Sequence, residues 1–161
     1  MHDFAKNVLW VFSYSKPQQF PSLILSGVIP ADQLNIPKVV FKENDDAKIF
    51  LKKYKPKIII TNKIKHKNLI NLLEVAKKQN IKIITVYDDW TFDESSINSQ
   101  RHQLNLDSIN FANLSVVKTK AASEIIYKNT GLITNILPDC LWFKSEKPIN
   151  KIALSLILRL S

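Results

Sequence analysis

Residues 81–93 read IKIITVYDDWTFD. An apolar run stops at two adjacent carboxylates, Asp88 and Asp89, and an indole, Trp90. Carboxylates at a strand end can hold a polar ligand, transfer protons or bind a cation. Successive side chains on extended backbone point to opposite sides. Asp88 and Asp89 therefore do not form an acid–base dyad unless the chain turns sharply. One is expected to bond local N–H groups while the other faces a cleft; the competing reading is a strand-end loop that caps the next element. Asp93 and Glu94 come soon after, but without a histidine or the spacing of a calcium loop, so no metal is expected. Trp90 and Phe92 either stack on a ring or sugar face or plug the end of the core.

Other groups carry weaker chemistry. The histidines are His2, His66 and His102, and no pair has metal-ligand spacing. His66 opens a helix directly after a strand and is the best placed of them for a cleft. Cys140 is the only cysteine, which excludes an internal disulfide and any paired-cysteine zinc site. Lys118, Thr119 and Lys120 surround a helix start that could offer N–H groups to an anion; the alternative is an ordinary capped helix with basic neighbours. Neither a GxGxxG nor a GxxxxGK[ST] pattern occurs, so dinucleotide and P-loop sites lack their glycines, and no cofactor is expected.

The elements that must position these groups alternate. Strands are predicted over 7–14, 37–41, 57–61, 81–87, 114–118 and, more weakly, 132–137. Between them lie helical patterns. Residues 22–34 read as a short helix broken by Gly27 and Pro30. In 44–54, Ala47, Phe50, Leu51 and Tyr54 share one face, with Asn44 as a cap and Asp45 and Asp46 in the first turn. In 66–80 the stripe is Leu69, Leu72, Leu73 and Ala76. A polar helix covers about 96–112, and a last one starts after Thr119, buries Ala122, Ile125 and Ile126, and stops at Gly131. Short, continuously apolar, β-branched strands separated by helices predict an α/β fold: an open, mostly parallel Rossmann-like sheet with helices on both faces. Ligands of such sheets collect beyond the carboxyl ends of the strands. That edge would carry the loops SYSKPQQF, TNKIKHKN, DDWTFD and KTKAAS.

The chain has 161 residues and a net charge of +9, which suits one domain and favours anionic partners. The lysines are scattered and few aromatics interleave with them, so nucleic acid is the least favoured partner. No signal peptide and no membrane-length apolar run is read. The expected location is cytoplasmic, with attachment to the inner face of the membrane as an extension of it. The boundaries expected are one Rossmann-like domain over 1–147 and an apolar segment, helix or interface, over 148–161.

The order of PSLILSGVIPADQL, KPKIIITNK, IKIITVYDDWTFD and FANLSVVKTKAASEIIYKNTG resembles the N-terminal, acceptor-side domain of GT-B glycosyltransferases of the retaining, nucleotide-sugar-dependent type. Pro138 and Asp139 stand where that family carries proline followed by asparagine or aspartate. The resemblance covers about residues 7–143. It implies a cleft facing Asp88, Asp89 and Trp90, an acceptor hydroxyl as ligand, and a sugar nucleotide bound by a second domain. The chain has no counterpart of that donor domain, nor the glycine-rich loop after the first strand. It is thus expected to bind an acceptor without turning it over. Implied partners are a donor-binding domain or chain and a second copy through the apolar C-terminus. The alternative is a non-catalytic basic module for an anionic ligand or an acidic membrane surface.

Overall fold

A computed structural model describes residues 5–87 and 99–137. Six strands form one sheet in the order β2-β1-β3-β4-β5-β6, every pair parallel. They are β1 (Val8–Phe12), β2 (Lys38–Val40), β3 (Ile58–Asn62), β4 (Lys82–Tyr87), β5 (Leu114–Val117) and β6 (Asn135–Ile136). All residues of β1 and β3 are buried, as expected of central parallel strands covered on both faces. The sixth strand is only two residues long, against the six anticipated. It begins beyond the exposed Leu132 and Ile133.

The strand order reverses between β1 and β3. The chain steps from β1 outward to β2, then crosses back over β1 to reach β3. Right-handed crossovers put the first connection on one face and the later ones on the other, and the packing obeys that rule. Leu9, Val11, Ile59 and Ile83 face α3 (Ala47–Tyr54), α4 (Lys67–Lys78) and Leu104 of α5 (Gln100–Phe111). Tyr87 and Val117 meet α5 and α6 (Lys120–Thr130) on the same side. Val8, Trp10, Phe12, Ile58 and Ile60 face the opposite way, towards Ala31 and Ile36.

The first connection is not broken, contrary to the expectation from Gly27 and Pro30. Helical backbone runs on through α1 (Pro21–Leu23), a π-turn (Ile24–Val28) and α2 (Ile29–Gln33). Ile29 N–H reaches back five residues to Ile24 O. A proline within a helix crowds the preceding turn, and the wider π-turn just before Pro30 relieves that crowding. Gly27 allows the approach to the sheet. A Cβ there would stand 2.7 Å from Phe12 Cε1 and 2.8 Å from Asn62 Nδ2.

The cap of α3 is Asp46, which accepts from Ile49 N–H at 2.8 Å, and not Asn44. Asp45 bonds backward instead, accepting from Lys42 N–H at 2.7 Å, and so closes the turn that leaves β2. α4 buries its expected stripe completely. Thr119 caps α6 by accepting from Ala122 N–H, and Gly131 ends it at φ 71°. No helix among the described residues is long and apolar enough to cross a membrane.

Candidate functional site at the strand carboxyl ends

With every strand parallel, all carboxyl ends share one edge. A crevice of about 330 Å³ opens there beside the point where the strand order reverses. Open α/β sheets place ligands at such a reversal, because the loops on either side of it turn to opposite faces and leave a gap. Ser13 and Ser15 line the crevice from the β1 loop, and Lys42 and Glu43 from the β2 loop. Lys65, His66 and Lys67 enter from the β3 loop, and Gln100 and Leu104 from α5.

The loop between β3 and α4 is held on three sides. Ser13 Oγ donates to Lys63 O and accepts from Lys65 N–H, both at 3.0 Å. Lys63 Nζ donates to Ser22 Oγ at 2.9 Å. Ile64 N–H donates to Asn105 Oδ1 at 2.9 Å, in the buried interior. Lys63 has φ 40°, a left-handed conformation that costs a residue with a Cβ about 1–2 kcal/mol. Such strain persists only where neighbours over-determine the loop, and these bonds do so. Asn105 and Ser108 lie on the inner face of α5, with Tyr87 donating to Asn105 O at 3.1 Å and also bonded to Ser108 Oγ. α5 is therefore a polar brace for the ends of β3 and β4, which explains why its apolar periodicity is weak.

His66 is the N-cap of α4 and is only 9% exposed. Its Nε2 lies 3.0 Å from Phe41 O. A carbonyl can only accept, so Nε2 carries the proton and Nδ1 of the neutral ring is an acceptor. Nδ1 is buried and has no partner among the described residues, a state that costs about 1–3 kcal/mol for a polar atom. The His66 side chain makes no cap bond to α4. A cap side chain would accept from the Asn68 or Leu69 N–H. Leu69 N–H donates to His66 O at 3.2 Å instead, and the N–H groups of Lys67 and Asn68 at the positive end of the helix are left for solvent or a ligand.

Lys42, Lys65 and Lys67 are exposed at the crevice. The ion pairs among the described residues, Lys38–Asp32, Lys78–Glu74 and Lys120–Glu124, include none of them. Lys65 Nζ sits 5.5 Å from the centre of the Tyr14 ring, a cation–π contact that holds the ammonium near the crevice. Glu43 is the single carboxylate of the lining among the described residues.

The structure brings His66 into this site. It places Lys118, Thr119 and Lys120 at the carboxyl end of β5, where Thr119 fills its own cap position and Lys120 pairs with Glu124 at 3.5 Å. Asp88, Asp89 and Trp90 lie outside the described residues, immediately after Tyr87 ends β4. His2, Phe92, Asp93, Glu94, Pro138, Asp139, Cys140 and residues 148–161 lie outside them too. Among the described residues no three His, Cys, Asp or Glu side chains could hold a metal ion together.

Lys42, Glu43 and Asn105 were not legible as site residues. Lys42 and Glu43 belong to a loop whose strand lies on the side of β1 away from β3, and Asn105 sits on a helix whose buried face mixes polar residues with Leu104 and Ile109. The one available signal was the phase of His102, Asn105 and Ser108 on a single helical face. No protein-family model matches the chain, and no curated protein matches it at a significant level.

Proposed function

We propose that this Rossmann-like chain is a small-molecule-binding module that takes its ligand in the crevice beside β1, β2 and β3. The observation that carries this reading is the convergence of Ser13, Ser15, Lys42, Lys65, His66 and Lys67 from three successive strand ends around one opening. The loop that presents three of them is pinned by Ser13, Ser22 and Asn105. A ligand group held on fixed backbone loses little freedom that the protein must also lose.

In its finer form the module is the acceptor-side domain of a nucleotide-sugar-dependent glycosyltransferase of the GT-B type. The crevice then holds the acceptor, and a donor-binding unit completes the reaction: the acceptor hydroxyl displaces the nucleoside diphosphate from the anomeric carbon. Support for this form is the Rossmann-like sheet, the polar crevice at its carboxyl edge, and the order of segments from 7 to 143.

The test is an amide-resolved NMR titration of the 161-residue chain with sugars, polyols and their phosphate esters. Saturable shifts confined to residues 13–15, 42–43 and 65–68 are expected for at least one class. Absence of any response at those amides across the panel would overturn the crevice reading. Nucleoside diphosphate release, scanned over sugar nucleotides, tests the finer form. The isolated chain is expected to bind acceptors that a donor-binding unit, added in trans, then glycosylates. Acceptors that bind the crevice but are never glycosylated with any donor unit would reject it.

A further inference from the structure

We propose that the crevice recognises a phosphate group on a hydroxyl-bearing small molecule, through Lys42, Lys65, Lys67 and the start of α4. This inference rests on the crevice being the ligand site and names the chemistry of its ligand.

Charge comes first. The three ammonium groups enter from two different loops, and none of them has an ion-pair partner among the described residues. Three cations around one opening, with no ion-pair partner among the described residues and one carboxylate, Glu43, on the lining, favour a further anion between them. Lysine ammonium groups act on phosphate as point charges and do not need fixed fork geometry, so three of them can adjust to one phosphate.

Backbone comes second. Lys67 begins a helix of 12 residues whose N-cap side chain makes no cap bond. Its N–H and the helix dipole favour an oxyanion at that position.

An independent observation points to a ligand rather than to solvent alone. His66 is more than nine-tenths buried in the crevice wall, and its Nδ1 lacks a partner among the described residues. With Nε2–H donated to Phe41 O, Nδ1 of the neutral ring is an acceptor. It therefore calls for a donor, which an alcohol supplies and a phosphate oxyanion does not. Glu43, on the same lining, also accepts from hydroxyls and repels a second phosphate. The crevice thus divides into a cationic part for one phosphate and an accepting part for hydroxyls. A phosphorylated polyol or sugar meets both, either free or as the headgroup of a lipid.

The experiment is an amide-resolved titration with inorganic phosphate, glycerol 3-phosphate and glycerol, at constant ionic strength set with chloride. A parallel arm uses vesicles with and without phosphatidic acid. Saturable shifts at Lys65, Lys67 and Asn68 are expected with both phosphates and not with glycerol, the ester binding more tightly than inorganic phosphate. Lys65→Gln with Lys67→Gln is expected to weaken binding at least tenfold. Both side chains are exposed, so the fold survives the change. Lys48→Gln with Lys128→Gln removes equal charge elsewhere and is expected to leave binding unchanged. Crevice amides that respond to phosphatidic acid vesicles as well as to the soluble ester assign the ligand to lipid headgroups. A response to the soluble ester alone assigns it to free molecules, and either supports phosphate recognition. Equal weakening by both double variants, or shifts centred on α6, would overturn the proposal. A neutral polyol that shifts the crevice amides while phosphate does not rejects the phosphate and leaves the crevice reading standing; silence from both rejects the two together.

Discussion

Replacing Gly27 with alanine is expected to destabilise the protein by about 2 kcal/mol, although alanine is the better helix former. Gly27 lies in the π-turn, where its backbone is helical and a side chain incurs no conformational penalty. On propensity alone the change would stabilise the chain by about 1 kcal/mol. The new methyl, however, would meet Phe12 Cε1 at 2.7 Å, Asn62 Nδ2 at 2.8 Å and Phe12 Cζ at 3.0 Å. Both neighbours are at most 1% exposed and sit on central strands that cannot retreat. Overpacking of this kind costs about 1–3 kcal/mol. Displacing Asn62 also strains its 3.0 Å bond to Ser26 Oγ, worth about 1 kcal/mol. The propensity gain and the strained hydrogen bond roughly cancel, and the net loss stays near the middle of the overpacking range, about 2 kcal/mol. For a chain of this size that lowers Tm by about 4–8 °C. Urea unfolding monitored by circular dichroism reads the same quantity as a lower midpoint at unchanged slope. Gly131→Ala is the companion measurement. No atom lies within 4 Å of a Cβ there, but φ is +71°, so a loss of about 1–2 kcal/mol comes from backbone strain alone. Phe12→Leu should shrink the Gly27→Ala cost and leave the Gly131→Ala cost intact, because only neighbouring sites couple. A Gly27→Ala protein as stable as its parent would refute the claim that this glycine sets the approach of the first connection to the sheet.

Asn105→Ala leaves the buried Ile64 N–H without its acceptor and is expected to cost about 1–3 kcal/mol, with amide shifts reaching Lys65 and His66. Unchanged spectra at those residues would show that α5 does not brace the loop. Asp46→Ala removes the α3 cap and should cost about 0.5–2 kcal/mol by chemical denaturation, while Asn44→Ala should be close to neutral. Burial holds the Tyr87 hydroxyl well above the usual tyrosine range, with its bonds to Ser108 and Thr85 opposing the shift only partly. The folded state therefore keeps this proton after the unfolded state begins to lose it near the ordinary tyrosine value of 10.0. Stability is full below that pH and falls as pH rises above it. Tyr87→Phe is expected to flatten this alkaline decline, measured as unfolding free energy from about pH 8 to about pH 11; an unaltered slope would reject the assignment.

Much of the fold was legible in the sequence because local patterns and global burial agree. The stripe Leu69, Leu72, Leu73 and Ala76 could bury itself only as a helix on a sheet, and all four are fully buried. The runs VLWVF and IIITN are apolar without alternation and become strands covered on both faces. Thr119 and Gly131 marked the ends of α6 by side-chain chemistry and by φ. The alternation of these elements was enough to imply an open parallel sheet and to nominate its carboxyl edge. His66 was placed at that edge from its position after a strand alone.

Tertiary structure decided the rest. Whether Gly27 and Pro30 break a helix depends on the π-turn and on how close the sheet lies. Which acidic residue caps α3 depends on the turn out of β2, where Asp45 is already engaged. Strand order is a non-local choice: β2 pairs with β1 on the side away from β3, and no local pattern encodes that. That pairing carries Lys42 and Glu43 to the crevice. The same holds for the brace, since Asn105 faces inward only because Ile64 N–H is there to donate to its Oδ1 and the Tyr87 hydroxyl to its main-chain carbonyl. Periodicity and capping act over a few residues and can be read from them. A site assembled from the ends of β1, β2 and β3 exists only once the sheet has brought those ends together.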